Sequence, residues 1–551
     1  LLAPVWSEGT AAAAAFATAL LFAVHPVHTE VVANVKSCDE LLALGGGLLA
    51  LFAALRAVDR RSGKWVFVAA AAFFAACLGK ENAITFLAII PLCIWWWRDR
   101  GQSRDFFVKT SGAIGAAGIA FLVLRHAVTG GFSGGNEAAN ALLNNPYVKQ
   151  VNGQWVAFSA GERTATIFYA LGKYLQLLVL PHPLTHDYYP KYIDRLTWAN
   201  PLSLLSAALY MALAVFAVLG PRRFLAGRFA AAWYLLALSV VSNLAFPVGT
   251  HLNERFLFTP SVGFCFGAVA LAGLWLRGVS ANGKAAPGAT PAGSRAGSRS
   301  GGAAGALVSA EGFVPPWPVL LLCGIVVAAF SLKTVMRNPV WANDERLVLT
   351  DVAVSARSAR ANDAAAGVLF NRSLREKPEK KQELWRSALQ YSETALDIYP
   401  DMPTAHANAA KCQHFLGRYD AAIAHYRAAI RLEPNRPEYR RNMAMSLRDG
   451  GEYYGEQRND PVTARRYLAE SWQISDQDPV TAWLTGVTWL VQGDAAQAAD
   501  WYAKALALSP DNPTYLYDLG MALRRTGQEQ KGMDLQRRAL QLQPDLIETR
   551  K

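Results

Sequence analysis

The sequence predicts an all-α chain built as a polytopic transmembrane helix bundle followed by an α-solenoid. Three observations carry this. Of 551 residues, 52% are hydrophobic and 17% charged, where a soluble chain carries roughly a quarter charged residues. Apolar runs close to the ~20 residues that cross a bilayer recur before Trp341. After it, a regular 34-residue spacing of prolines sets in.

The runs predict spans at Ala11–Val24, Leu41–Val58, Trp65–Leu78, Ala83–Trp97, Phe106–Val128, Pro201–Leu219, Phe229–Phe246, Phe256–Leu276 and Trp317–Val335. Lys and Arg gather in cytoplasmic loops. Arg56, Arg60, Arg61 and Lys64 place one loop inside, as do Arg98, Arg100, Arg104 and Lys109, and again Arg222, Arg223 and Arg228. Alternation then places Gly79–Asn82 and the stretch Thr129–Asn200 outside, so the apolar run Thr164–Leu180 is expected not to cross once. Residues 277–312, rich in Gly, Ala, Ser and Arg, read as a flexible cytoplasmic linker. The final span delivers everything after it to the exoplasmic side. The expected domains are therefore 1–276 (multi-span membrane domain), 277–312 (linker), 313–340 (last transmembrane helix and connector) and 341–551 (exoplasmic repeats).

The net charge of +12 does not indicate a nucleic-acid partner. From Trp341 onward there are 28 Lys and Arg against 28 Asp and Glu, which leaves 26 against 14 in the apolar half. Basic loops beside membrane helices account for that excess. The six Cys are too sparse for a disulfide scaffold. Five lie in or beside apolar runs, and Cys412 reads as a small buried side chain. The chain begins at Leu1 without a basic segment before its first apolar run, which reads as an internal start rather than a signal peptide.

In the polar half, Pro400, Pro434, Pro510 and Pro544 close similar phrases, and both 400–434 and 510–544 span the tetratricopeptide period. The register puts Ala422, Tyr426 and Ala429, then Gly486, Ala498, Tyr502 and Ala505, then Gly520, Leu523 and Ala539 at packing positions. The interval from Pro434 to Pro510 exceeds two periods, which predicts an insertion around Glu452–Asp460. Such stacks offer a concave face to extended peptides.

Loop parity brings the polar clusters to one face. His25, His28 and Glu30 can orient a phosphate or move protons, or can cap a helix. Lys36, Asp39 and Glu40 border an apolar run, where charges are functional candidates by default. Lys80 and Glu81 interrupt two runs, as a site or as a turn with its own ion pair. Glu254 and Arg255, beside His251 and Asn253, are expected to be buried and paired. His182, His186 and Asp187 lack the spacing of a zinc motif.

The segments LLFAVHPVHTEVVANVKSCDELLAL, GKENAITFLAIIPL, PHPLTHDYYP and HLNERFLFTPSVGF, followed by tetratricopeptide repeats, resemble the transmembrane and tetratricopeptide-repeat O-mannosyltransferases and their bacterial relatives. The resemblance implies a GT-C architecture, incomplete here, and a polyprenyl-phosphate sugar, mannose or similar, as donor substrate. It implies no firm cofactor and leaves a divalent metal open. It also implies an acceptor polypeptide on the repeats. The resemblance implies that the acidic base, which lies upstream of the HPVHTE segment in the family, is outside this chain or absent, and Cys38 stands where relatives often carry a basic residue. His25, His28, Glu30, Asp39 and Glu40 are then supporting catalytic candidates, and Lys36, Lys80, Glu81, His182, Asp187, His251, Glu254 and Arg255 substrate-binding ones. The implied location is a bacterial inner membrane with periplasmic repeats, or the endoplasmic reticulum with lumenal repeats. The alternative is a non-enzymatic membrane-anchored scaffold for envelope proteins.

Overall fold

A computed structural model of the chain describes residues 8–98, 100–130, 145–152, 154–190, 192–283 and 317–548. They fall into two compact units, one ending at Ser355 and the other beginning at Ala356.

The first unit opens with α1 (Glu8–Val24), which stops before Pro26. Proline cannot donate the next helical hydrogen bond, and the chain bends by 57° into α2 (Thr29–Ala33). Next come α3 (Cys38–Arg60), α4 (Gly63–Gly79), α5 (Phe86–Trp97) and α6 (Arg100–Thr129). Asp39 and Glu40 occupy the first turn of α3, where carboxylates favour the positive end of the helix dipole. A short antiparallel hairpin, β1 (Val148–Val151) with β2 (Gln154–Ala157), pairs Val148 with Ala157 and Val151 with Gln154. α7 (Ala160–Val179) starts in a Ser159/Glu162 capping box. α8 (Pro201–Leu219), α9 (Leu225–Ser239), α10 (Phe258–Gly283), α11 (Trp317–Arg337) and α12 (Asp344–Asp351) complete the unit.

Helix α3 packs along α4, α9 along α10, and α7 along α8. Buried Phe73, Phe86, Ile89, Ile90, Ile114 and Trp233 form one core. Gly47 belongs to it because a Cβ there would lie 2.4 Å from the Phe86 ring. A second core, around Ile167, Leu171, Tyr174, Tyr188 and Leu257, sits beneath the loops that carry the polar clusters. Among the described residues, five helices are long and apolar enough to cross a membrane, or six if α1 and α2 count as one broken span. The chain is an integral membrane protein.

Four expectations need correction. The run Phe229–Phe246 is not one helix: α9 ends at Ser239, and Asn243 adopts φ +63 with its amide bonded to Thr250 O and Val248 N. The run Ala83–Trp97 is α-helical only from Phe86, its first three residues belonging to a 3₁₀ turn over Glu81–Thr85. Residues 277–283 prolong α10 rather than opening the linker, and 284–312 lie outside the described residues. The first unit runs to Ser355 rather than ending before Trp341, because α12 carries Asp351, which pairs with Arg337 of α11.

The second unit is five helix pairs: α13 (Ala359–Ser373) with α14 (Pro378–Ile398), α15 (Pro403–Phe415) with α16 (Tyr419–Leu432), α17 (Pro437–Glu456) with α18 (Pro461–Ile474), α19 (Pro479–Val491) with α20 (Ala495–Leu508), and α21 (Pro513–Arg525) with α22 (Glu529–Leu542). Proline begins α14, α15, α17, α18, α19 and α21, the one helical position where its missing N–H costs nothing. Gly417, Gly493 and Gly527 take φ of +74, +88 and +85 at the turn inside three pairs, a left-handed conformation that a Cβ disfavours. Ala422, Tyr426, Ala429, Ala498, Tyr502, Ala505 and Ala539 are all buried at the expected packing positions, as is Cys412. The expected insertion is no loop: residues 452–456 lengthen α17, which ends before Asn459 turns the chain at φ +52.

Candidate functional site

The break between α1 and α2 is the first part of the site. His25 Nε2 donates to Leu178 O at 2.9 Å, and its Nδ1 accepts from Val27 N at 3.4 Å. Both nitrogens of a neutral imidazole are thereby used. His28 Nδ1 donates to Phe22 O at 2.7 Å, and its Nε2 meets the Ser261 hydroxyl at 2.8 Å. The two rings fasten the bend to the end of α7 and to α10. Thr334 of α11 adds a bond to Val24 O at 2.8 Å.

This bend aims Glu30 inward, where it is 3% exposed. Its Oε2 accepts from Arg255 N at 3.2 Å, and its Oε1 lies 3.8 Å from Arg255 Nη1. The Arg255 side chain is 29% exposed. Its buried Nε has no partner among the described residues. Next to it, buried Glu254 accepts from Thr185 N at 2.6 Å and from Tyr188 OH at 2.7 Å. The Thr185–Tyr189 segment is held from the other side by Asp351, which accepts from His186 N at 2.7 Å and His186 Nδ1 at 2.9 Å. Arg337 closes the same carboxylate in a two-pronged pair at 2.5 and 2.6 Å. Burial alone would raise the Asp351 pKa; Arg337 and His186 overcome it and hold the carboxyl below its usual range. Ser355 Oγ reaches Asp187 O and Thr185 Oγ1, each at 2.6 Å.

A third group lies at the start of α3. Lys80 Nζ stands between Asp39 at 2.9 Å and Glu40 at 3.0 Å, and Glu40 is almost fully buried. Two carboxylates outweigh this ammonium, whereas Arg255 faces one carboxylate at a longer distance. Arg255 is thus the cation of the cluster with most capacity left for an incoming anion.

With this geometry, likeness to known proteins becomes informative. Tetratricopeptide-repeat family models match residues 381–445, 468–513 and 490–547. A protein O-mannosyl-transferase of Caenorhabditis elegans is 28% identical over 255 residues, covering 46% of this chain and 33% of that protein. Protein O-mannosyl-transferase TMTC3 of Homo sapiens is 26% identical over 448 residues, covering 75% of this chain and 42% of that protein. The chain is thus similar to protein O-mannosyl-transferases over up to about three quarters of its own length. It spans well under half the length of these relatives. Among solved structures, the tetratricopeptide protein YrrB is similar over 36% of this chain and 94% of its own, at 16% identity and a TM-score of 0.28.

In this chain the expected residues do not all meet. Glu30 meets Arg255, His25 and His28 hold the bend that carries Glu30, and Glu254 next to Arg255 has Thr185 and Tyr188 as its own partners. Asp39, Glu40 and Lys80 form their own cluster. Lys80 does not pair with Glu81, which instead lies 3.5 Å from Arg125 across an exposed surface, nor does Glu254 pair with Arg255. Lys36 is exposed. His182 accepts from Lys333 Nζ at 3.2 Å, and Asp187 accepts from Tyr189 N at 2.9 Å. His251 is buried against the Tyr147 ring at 5.1 Å, and burial lowers its pKa to about 4. Among the described residues, no three His, Cys, Asp or Glu side chains gather as metal ligands. Sequence reading missed Arg337, Asp351, Tyr188 and Ser355. For Arg337 and Asp351 the only signal is a cation near the end of the last apolar run with a carboxylate one short helix later, and Tyr188 lies inside the PHPLTHDYYP segment.

Proposed function

We propose that this chain forms the acceptor-binding part, and one wall of the donor site, of a membrane glycosyltransferase that moves mannose or a similar sugar from a polyprenyl phosphate to a hydroxyl of a polypeptide held by the repeats. In that reaction the acceptor oxygen loses its proton and bonds to the sugar C1. The C1–O bond to phosphate breaks, and the polyprenyl phosphate leaves with the electron pair. The observation that supports this reading most is Arg255: a partly exposed guanidinium whose Nε has no partner among the described residues, set against buried Glu30 where the apolar bundle ends in polar loops. A fixed fork of donors suits a departing phosphate. Glu30 orients that fork, and His25 and His28 hold the bend that carries Glu30. A lipid-linked donor fits loops read as exoplasmic, since the lipid carries the sugar to that side.

The test is transfer of mannose from polyprenyl-phosphate mannose to a serine- and threonine-containing polypeptide, catalysed by the chain with its natural flanking sequence. Arg255→Gln is expected to lower the rate about 10² to 10³-fold, the usual effect of losing one donor to developing charge. Arg255→Lys should restore only part of it. Unchanged transfer in Arg255→Gln at equal folded protein would reject the assignment.

A further inference from the structure

On the repeat unit a cavity of about 190 Å³ opens between α13, α15 and α17. Its walls are aromatic. The Phe370 and Phe415 rings lie 5.5 Å apart, Trp385 stacks on Phe415 at 5.2 Å, and buried Tyr426 contributes to the lining. Leu374, Phe415 and Met445 line it while remaining 58%, 44% and 47% exposed. Single exposed apolar side chains are ordinary on any protein surface, but three around one cavity make a patch that calls for an occupant. An apolar cavity of about 150 Å³ already takes a benzene-sized ring, so this one has room for a phenylalanine side chain.

The polar part of the lining narrows the choice. Lys411 is its one residue with a permanent charge, with Nζ 5.8 Å over the Phe370 ring and 3.5 Å from Asn408 Oδ1. The nearby Asp363 carboxylate is already engaged by Thr404 at 2.6 Å and Asn408 at 2.8 Å. His414 is tied to Ser446 at 3.0 Å and to Asp449 at 3.4 Å. The lining holds no carboxylate of its own, so an entering chain meets one ammonium beside an aromatic slot.

We propose that this cavity is the anchor pocket for the acceptor polypeptide, and that it selects a phenylalanine-sized apolar side chain adjacent in sequence to a glutamate or aspartate. The ring fills the slot between Phe370, Phe415 and Met445. The neighbouring carboxylate pairs with Lys411, and the Asn442 amide serves the peptide backbone between them. The proposal rests on reading the repeats as the acceptor-binding part of the transferase.

The experiment is fluorescence anisotropy of the full chain in detergent micelles, without sugar donor, titrated against labelled acetyl-Ser-Glu-Phe-Thr-Ser-amide and its Glu-Ala and Lys-Phe counterparts. The Glu-Phe peptide is expected to bind about tenfold more tightly than either, the effect of one well-seated anchor or one partly desolvated charge pair. Met445→Glu, at a position 47% exposed, should weaken the Glu-Phe peptide by a similar factor while circular dichroism of the variant matches wild type. Lys411→Glu should reverse the preference toward the Lys-Phe peptide. Equal binding of all three peptides, or unchanged preferences in both variants, overturns the pocket. Because no transfer is measured, these outcomes bear on the pocket alone, whereas lost transfer with intact peptide selectivity would count against the enzymatic reading alone.

Discussion

At the scale of single residues, the most demanding interaction in the first unit is Asp351. It is fully buried, and so, nearly, is the Arg337 guanidinium that grips it. Removing one member of such a pair leaves an unpaired buried charge and costs about 3–5 kcal/mol. Asp351→Asn is therefore expected to lower the thermal midpoint of the purified protein markedly, whereas Arg337→Met with Asp351→Leu should lower it far less. Because the Asp351 pKa is depressed in the folded state, its contribution is complete above the ordinary carboxylate range and is lost as pH falls below it. His251 gives a second pH signature at higher pH. Burial holds its pKa at about 4 against an ordinary 6.5, so the unfolded chain binds a proton that the folded chain refuses. Stability should fall by at most roughly 3 kcal/mol as pH drops from 6.5 toward 4. Thermal unfolding of His251→Phe at pH 7 and pH 5 should show a smaller difference than wild type.

At the scale of elements, the repeat pairs depend on close approach. A Cβ on Gly486 would sit 2.6 Å from the Tyr502 ring, so Gly486→Ala must push α19 off α20 at a cost of about 1–3 kcal/mol. In a stack where each pair contacts its neighbours, the loss should stay local. Hydrogen exchange is expected to quicken in α19, α20 and the adjacent α18 and α21, and to stay unchanged in α13. The repeat register was readable because local spacing fixes it: Pro434 and Pro510 mark helix ends, and Tyr426 and Tyr502 fall at the same buried place. The extent of α9 was not, since the apolar run continues past Ser239 and only the Asn243 turn, set by contacts to Thr250 and Val248, ends the helix. The hairpin escaped too, because four-residue strands carry little periodicity. Of the site, residue types were legible and their partners were not. Lys80 chooses Asp39 and Glu40 over adjacent Glu81, and Asp351 meets His186 across 165 positions of sequence, a choice that only folding makes.

At the scale of the whole molecule, the basic loops around Arg56–Lys64, Arg98–Lys109 and Arg222–Arg228 are expected to lie on the side opposite His25–Glu30, Lys80, His182–Tyr189 and the repeats. Single cysteines placed at Lys64, His182 and Gln530 in a background without native cysteines test this with a membrane-impermeant maleimide on intact cells. Labelling at His182 and Gln530 but not at Lys64 is the expected pattern. Labelling of Lys64 together with Gln530 would reject the shared exoplasmic face, and with it a lipid-carried donor.

Helix α11 joins the first unit chiefly through its polar end, by Thr334 to Val24, Lys333 to His182 and Arg337 to Asp351. Only 6% of its apolar stretch is buried against protein, and Leu321, Leu322, Ile325, Leu332 and Val335 point outward. In a bilayer those flanks would meet acyl chains, and the attachment among the described residues resembles a door hung from one edge. Harsh short-chain surfactants should let it swing free while the rest of the bundle stays assembled, and return to nanodiscs of native thickness should seat it again.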